Sequence, residues 1–427
     1  MNMNRVSVLV IAAGSLLGGA SHFAQAQTGS ETLSCGEERN VNPGLMTEQT
    51  FNRMNDAFEM IGEEKYEEAY EELENLGERR ISDYERASVE QALGFITAQR
   101  EQYQASIRHF GEAVRLNQLP NQTHFEMILQ IAQLYNALER YDEALEQLDF
   151  WFCVSTEDAK KVAQVWVLRA SLYVQKDEFR EGVEAINQAI EIADDPEESW
   201  FRLKLGLLLE LEEYRDAVDV AKVLIEINPN RKEYWSQLSG IYMELNENRN
   251  AMATLHLAYR RGLLDRGTEY SQLAGLLQQM EAPRLAAEVM QDGLEKGYVE
   301  QTANNWEMTA GAWYQARELG RSLDAYEQAG ELSDSGKIDF QRASIMTAEE
   351  NWEGVLSAAT RALQKGDLTD SQEGSAHLLV GMAQFNLDNL DQAEQAFIRA
   401  ANYGTLRTAA REWLNHIEQT RQRLASR

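Results

Sequence analysis

The chain is organised by a pattern of apolar and polar positions that returns every 33 to 38 residues. Its clearest copy has a helical stripe of large, small and aromatic residues, a polar break and a second stripe: Ile128, Ala132, Tyr135, then Tyr141, Ala144, Leu148 and Trp151. The next copy lies 38 residues further on and runs from Trp166 to Ala189. Apolar residues at i, i+3 or i+4 and i+7 give a helix one buried face. Each copy therefore predicts two helices joined by a tight turn, a helical hairpin.

Ten such copies occupy residues 48–405. The small residue of each stripe is expected where the two helix axes approach closely, with an aromatic residue filling the gap beside it. The predicted repeat-core positions are Ala132, Tyr135, Tyr141, Ala144, Ala170, Tyr173, Phe179, Ser239, Tyr242 and Ala251. One hairpin cannot bury both of its faces, so neighbouring hairpins must stack.

Two copies depart from the pattern. Pro283 stands where an aromatic residue is expected in the seventh copy, a position that proline tolerates if it begins the second helix. Asp339 takes the first large apolar position of the ninth copy, which is expected to weaken its packing.

The repeated order of residues resembles the tetratricopeptide repeat (TPR) over about residues 48–405. The resemblance implies an all-α fold, a right-handed α-solenoid of about ten hairpins. Residues 406–427 are expected to form a capping helix, with Trp413, Leu414 and Ile417 on its apolar face.

The same resemblance implies a partner-binding concave surface lined by the first helix of each hairpin. Its candidate residues are Gln91, Glu126, Gln133, Asn136, Gln164, Ser171, Arg202, Glu233, Ser236 and Glu244. Arg202 is the isolated cation of this set, so the cluster of Lys, Arg and Asn residues that holds an acidic peptide tail is missing. A neutral or basic peptide, or a folded partner, fits this lining better.

Charge excludes some classes of partner. The 427 residues contain 40 basic and 70 acidic side chains, a net charge of −30, which disfavours nucleic acids and anionic lipids. The densest acidic run, between Glu63 and Glu74, is either a solvated outer face or a docking patch for a basic partner.

No motif for catalysis stands out. The histidines do not pair with one another or with cysteine at ligand spacing, and no phosphate-binding glycine loop or Gly-x-Ser-x-Gly elbow occurs. We therefore expect no enzymatic activity, no metal and no cofactor.

The first 26 residues have the features of a secretory signal peptide. Arg5 precedes an apolar stretch over residues 6–20, and Ala24-Gln25-Ala26 offers a cleavage site. An uncleaved anchor is the alternative, but polar and small residues interrupt the short stretch. Residues 32–35, Thr-Leu-Ser-Cys, faintly resemble a lipid-attachment site, but Glu31 and a polar segment separate them from the apolar stretch. We expect a periplasmic protein with no later membrane span and an N-terminal arm over residues 27–47.

An exported location gives the two cysteines, Cys35 and Cys153, an oxidising environment. We expect a disulfide that fastens the arm to the array; the alternative is two unpaired thiols. The segment from Cys35 to Glu48 could span about 40 Å when extended, so its length permits the bridge.

Four segments are similar to periplasmic TPR proteins encoded beside TonB–ExbB–ExbD transport systems: residues 234–242 (YWSQLSGIY), 257–264 (LAYRRGLL), 381–387 (GMAQFNL) and 409–414 (AAREWL). This resemblance implies an accessory role in energised outer-membrane uptake, with TonB, ExbB or ExbD as partners. One alternative is an envelope or outer-membrane assembly scaffold with a chaperone-like role. A polysaccharide-export scaffold is less favoured, because no barrel-like strand region follows residue 405.

Overall fold

The structure, a computed structural model, describes residues 39–42, 44–156 and 159–425. Within these ranges the regular elements are twenty-one α-helices and one short 3₁₀-helix, and no strand occurs there. The chain divides into two compact units, one ending at Val220 and the other beginning at Ala221. The prediction of an all-α array of helical hairpins is confirmed.

Unit 1 contains the first nine helices and the first half of the tenth. Their bounds are α1 Glu48–Gly62, α2 Tyr66–Gly77, α3 Asp83–Gln99, α4 Tyr103–Leu116, α5 Asn121–Ala137, α6 Tyr141–Val154, α7 Ala163–Gln175, α8 Phe179–Ile192, α9 Glu198–Glu210 and α10 Tyr214–Ile227. The 3₁₀-helix, Ala159–Lys161, lies between α6 and α7.

Unit 2 contains the rest of α10 and eleven further helices. Their bounds are α11 Lys232–Glu244, α12 Asn248–Arg260, α13 Gly267–Gln279, α14 Pro283–Glu295, α15 Ala303–Gln315, α16 Leu319–Leu332, α17 Lys337–Ala348, α18 Trp352–Lys365, α19 Asp370–Asn386, α20 Leu390–Ala400 and α21 Arg407–Ala425. Pro283 is the first residue of α14, as predicted, where its missing N–H leaves no intrahelical hydrogen bond unmade.

One turn geometry joins the two helices of every hairpin. In the turn between α5 and α6, Glu139 adopts the left-handed conformation with φ of 58°, and the N–H of Arg140 donates to the carbonyl of Tyr135 at 2.9 Å. This is the hydrogen bond of a Schellman helix end. The left-handed residues at the equivalent position of the other nine turns are Glu64, Glu101, Asp177, Glu212, Asn246, Glu281, Arg317, Glu350 and Asp388. The period of the sequence is therefore also a period of backbone conformation.

The core lies between the helices of each hairpin and its neighbours. Ala132, Ala144, Ala170, Ser239 and Ala251 are fully buried. Where the small residue is serine it bonds across the hairpin, since the Ser239 hydroxyl donates to the carbonyl of Ala251 at 3.0 Å. The aromatic positions of the repeat are half-buried and pack against the same clusters: Tyr135, Tyr141, Tyr173, Phe179 and Tyr242.

The last helix covers the end of unit 2. The Trp413 ring stacks on Phe397 with centroids 5.3 Å apart, and Ile417 is 1% exposed. Arg421 forms ion pairs with Asp391 at 2.6 Å and Glu394 at 2.8 Å on α20. These contacts give α21 the geometry of a cap.

The N-terminal arm is attached to unit 1 through Arg39. Arg39 is 6% exposed. Its guanidinium donates to the side-chain oxygens of Asn117 at 2.6 Å and Asn121 at 2.7 Å. The predicted signal peptide and Cys35 lie outside the described residues.

Candidate partner-binding surface

The ten predicted surface residues all lie on first helices of hairpins. In unit 1 they occur on α3, α5, α7 and α9, and in unit 2 on α11. We define the first-helix face of a unit as the exposed side of the first helices of all its hairpins. Six of the residues are exposed: Glu126, Gln133, Gln164, Arg202, Glu233 and Glu244. Four are half-buried: Gln91, Asn136, Ser171 and Ser236.

Several polar groups on these helices are already occupied. The amide nitrogen of Gln122 donates to the Glu126 carboxylate at 3.0 Å, and the Ser171 hydroxyl donates to the carbonyl of Val167 at 2.9 Å. These groups are bonded along their own helices, so they contribute less to recognition than their residue types suggest.

Cations on the first helices are also engaged within the protein. The Lys232 ammonium, at the start of α11, bonds to Asp265 and lies 3.4 Å from the Glu269 carboxylate. Burial acts to lower the pKa of Lys232, but these two carboxylates outweigh it and the pKa is raised overall. In unit 1, Arg169 pairs with Asp149 at 2.8 Å and lies 5.2 Å from the centre of the Phe152 ring. Neither side chain is free to hold an acidic peptide tail.

Exposed apolar residues on the first helices form a feature that the sequence analysis missed. In unit 2, Met243 on α11 is 39% exposed, and Met308 and Tyr314 on α15 are each 50% exposed. In unit 1, Phe51 and Phe58 on α1 are 44% and 41% exposed. Exposed large apolar residues also occur on second helices, Leu257 on α12 and Ile398 on α20 among them, so the first-helix residues are a candidate contact surface only together with the glycines described next.

A row of glycines accompanies them in unit 2. Gly240, Gly275 and Gly311 each directly follow the small core residue of α11, α13 and α15. A Cβ atom at Gly240 or Gly275 would meet nothing within 4 Å, and one at Gly311 would meet only the Tyr326 hydroxyl at 4.0 Å. Packing therefore does not require glycine at these three positions. The repeat alignment contained this signal, because the glycines recur at 35 and 36 residues.

The described residues show no arrangement of metal ligands. No three His, Cys, Asp or Glu side chains among them are grouped so that they could hold an ion. No helix in the described part is long and apolar enough to cross a membrane. The absence of a cofactor and of catalysis remains a prediction.

Cys153 lies in α6, half-buried beside the core cluster of Trp151 and Leu148. Because Cys35 is outside the described residues, the Cys35–Cys153 pairing remains a prediction.

The sequence matches the profile of one protein family, ChAPs (Chs5p-Arf1p-binding proteins), over residues 36–258, more than half of the chain. The chain belongs to this family. The ChAPs match covers all of unit 1 beyond the first 35 residues and reaches into α12 of unit 2. No curated protein sequence matches the chain.

Solved structures of TPR proteins are similar to the chain at low identity. A TPR protein from Parabacteroides merdae shares 13% identity with a TM-score of 0.38, covering 65% of this chain and 100% of its own. The C-terminal part of a TPR protein from Cytophaga hutchinsonii shares 12% identity with a TM-score of 0.34, covering 57% and 97%. The TPR2AB domain of yeast Sti1, solved in complex with pHSP90, shares 12% identity with a TM-score of 0.32, covering 60% of this chain and 98% of its own.

Proposed function

We propose that the protein is a periplasmic scaffold whose first-helix faces bind partner polypeptides, acting as an accessory component of TonB-dependent outer-membrane transport. One observation carries the binding role: the first-helix face of unit 2 combines exposed Met243 and Tyr314 with the open glycines Gly240, Gly275 and Gly311.

The glycines are costly in an isolated protein. Glycine inside a helix destabilises it by roughly 0.5–1 kcal/mol relative to alanine, because more backbone entropy is lost on folding. No atom of unit 2 lies so close to these three positions that glycine is needed there. A partner whose backbone approaches the helices closely would need glycine at these positions.

The exposed methionines and tyrosine suit such a partner. Methionine is flexible and polarisable, so it packs against varied side chains, and tyrosine offers a large rigid contact area. The Glu244 carboxylate is next to Met243 in the sequence, Glu233 lies at the other end of α11, and both belong to a chain with a net charge of −30. Neutral or basic segments therefore fit this face better than acidic ones.

The family supports a polypeptide as the partner. Its description is of proteins that bind other proteins, Chs5p and Arf1p. Repeat families of this architecture are generally non-enzymatic scaffolds, which agrees with the lack of a recognisable catalytic motif in the sequence.

The envelope role rests on the sequence. The N-terminal 26 residues have the features of an export signal. One segment similar to the TonB-associated proteins lies in α11 (residues 234–242), and another (residues 381–387) covers the end of α19 and the residue after it. An envelope-assembly scaffold that handles unfolded or lipoprotein clients is the second candidate, since an exposed apolar face would serve it equally well.

Crosslinking in living cells followed by mass spectrometry tests the assignment. The test compares the unaltered chain with Met243→Ala/Tyr314→Ala and with a control, Leu257→Ala/Ile398→Ala, which removes exposed apolar residues from second helices of the same unit. We expect TonB, ExbB or ExbD among the captured proteins, reduced by the first double variant and unchanged by the control. Capture of barrel-assembly proteins without any energy-transduction protein would favour the second candidate.

A further inference from the structure

The tenth hairpin differs from the sixth and the eighth at three core positions of its first helix. In α11 these positions hold Trp235, Leu238 and Tyr242, and in α15, 71 residues later, they hold Trp306, Thr309 and Trp313. Such side chains fill the space beside the neighbouring hairpin; Trp313 is 1% exposed. In α19, a further 71 residues on, the positions hold His377, Val380 and Gln384. Smaller and polar side chains replace the aromatic ones.

A cavity of about 750 Å³, wide open to solvent, lies between α18, α19 and α20 beside these positions. This volume is within the range of roughly 300–1,000 Å³ that small-molecule sites occupy. His377, Val380 and Gln384 form its α19 wall and are all half-buried. The cavity is therefore lined by second helices as well as a first helix, and lies apart from the glycines and apolar side chains of the proposed partner-binding face.

Amide side chains dominate the polar lining. They come from all three helices: Gln364, Gln384, Gln392 and Gln395. Each amide carries two donor hydrogens and an oxygen with two lone pairs. Asn389 donates to the Gln384 oxygen at 2.9 Å, which leaves the Gln384 NH₂ group for a ligand.

The charged groups of the lining are mostly balanced within the protein. Asp391 pairs with Arg421 at 2.6 Å. Glu373 accepts a hydrogen bond from Tyr403. Burial is the largest cause that raises the pKa of Tyr403, and the contact with Glu373 raises this pKa further. Burial, followed by the positive charge of Arg399, lowers the pKa of His377, so the imidazole is neutral at neutral pH. Apart from Arg399, the groups available to a ligand are chiefly uncharged donors and acceptors.

We propose that this cavity binds a neutral, hydroxyl-rich molecule, a short saccharide. Sugar hydroxyls donate and accept at once, and the four amides and the Thr360 hydroxyl provide that mixture within one cavity. Leu363, Val380 and Ala396 supply a small apolar surface for the C–H face of a ring.

Other ligand classes fit less well. An anionic ligand would face the net charge of −30 and the carboxylate of Glu373, with Arg399 as the one cation among the lining residues. A peptide segment is normally held by large apolar or aromatic anchors in pockets, and the apolar lining here is limited to Leu, Val and Ala side chains.

The test uses the full mature chain and measures binding by saturation-transfer NMR and titration calorimetry. The probes are maltose, cellobiose, lactose and trehalose, an array of neutral oligosaccharides, and a neutral Gly-Ser peptide. The filled variant His377→Trp/Gln384→Trp restores the residue type of Trp306 and Trp313. Gln395→Ala removes one amide without altering the core, and Gln188→Ala, an exposed glutamine on the second helix α8, is its control.

We expect at least one saccharide to bind, with affinity at least about tenfold weaker in the filled variant and several-fold weaker in Gln395→Ala. The control should bind as the unaltered chain does, and the filled variant should melt at the same or a higher temperature. Absence of binding by every saccharide, equal binding by the filled variant, or binding of the peptide alone would each overturn the assignment. Crosslinking of partner proteins through the first-helix face that carries Tyr314 should be unchanged in all three variants. The saccharide proposal can therefore fail without the scaffold proposal failing.

Discussion

Arg361 donates through Nε to the Oδ1 of Asp339 at 2.6 Å, from α18 to α17, and Asp339 is fully buried. The Lys365 ammonium lies 2.8 Å from the other carboxylate oxygen. Asp339 occupies the position where the sixth and eighth hairpins carry Trp235 and Trp306. In this hairpin, ion pairs between Asp339 and two cations of the facing helix therefore replace an apolar contact.

Replacing the carboxylate should destabilise unit 2. In Asp339→Ala the two cations lose their partner. Because both side chains are partly exposed, we expect a loss of about 3 kcal/mol, the lower end of the range for a broken buried ion pair. The exposed Asp324 on α16 provides a control, and Asp324→Ala should change the free energy of unfolding by less than about 0.5 kcal/mol. Chemical denaturation measures both; equal effects would show that the buried pairing contributes nothing.

A second prediction concerns pH and His124 in α5, which is 1% exposed. Burial, and then the positive charge of Arg39, lowers the pKa of His124 to about 3. In the unfolded chain the imidazole titrates near its ordinary value of about 6.5. The unfolded state therefore binds a proton first as the pH falls, and the stability associated with neutral His124 is lost between about pH 6.5 and pH 3.

Between pH 7.5 and pH 5 this group should remove about 2 kcal/mol of stability. Urea denaturation at the two pH values measures the loss, and His124→Leu should reduce it by about that amount. The exposed His416 provides the matched variant, His416→Leu, which should keep the full pH dependence. If His124→Leu and the unaltered chain lose equal stability, the imidazole does not stay neutral in the folded protein.

The glycine row predicts that a substitution which stabilises the protein also weakens its binding to partners. Gly275→Ala should stabilise unit 2 by about 0.5–1 kcal/mol, because alanine fits the open space and costs less entropy. The same change should weaken partner capture. Gly111→Ala is the control, since Gly111 is also helical with nothing within 4 Å of its Cβ position but lies on a second helix, α4. The melting temperature measures the change in stability, and the crosslinking yield measures partner capture. If Gly275→Ala captures partners as well as Gly111→Ala does, the glycines are not needed for partner binding.

The period of the sequence predicted most of the fold for a physical reason. Small residues such as Ala132 and Ala144 recur because two helix axes must approach closely, so local pattern and tertiary contact coincide there. The partner of Asp339 could not be predicted in this way, because Arg361 lies 22 residues away on another helix and outside the repeated core positions. The cavity beside His377 could not be predicted from the sequence either, because only the packed structure shows open space between α18, α19 and α20.

The two cysteines give a prediction for the arm. We expect Cys35 and Cys153 to be joined in the exported protein, so the unaltered chain should run faster on a non-reducing gel than after reduction. Cys153→Ser should abolish the difference. Labelling of both thiols in the untreated protein would show instead that they are unpaired.

The central claim is that first helices, and not second helices, hold the partner. A photo-crosslinking amino acid placed singly at Gln133 and Tyr314 on first helices, and at Gln188 and Leu257 on second helices, tests this in living cells; all four positions are exposed. We expect the first two positions to capture a common set of polypeptides and the last two to capture little. Equal capture at all four positions, or capture confined to α8 and α12, would contradict the central claim.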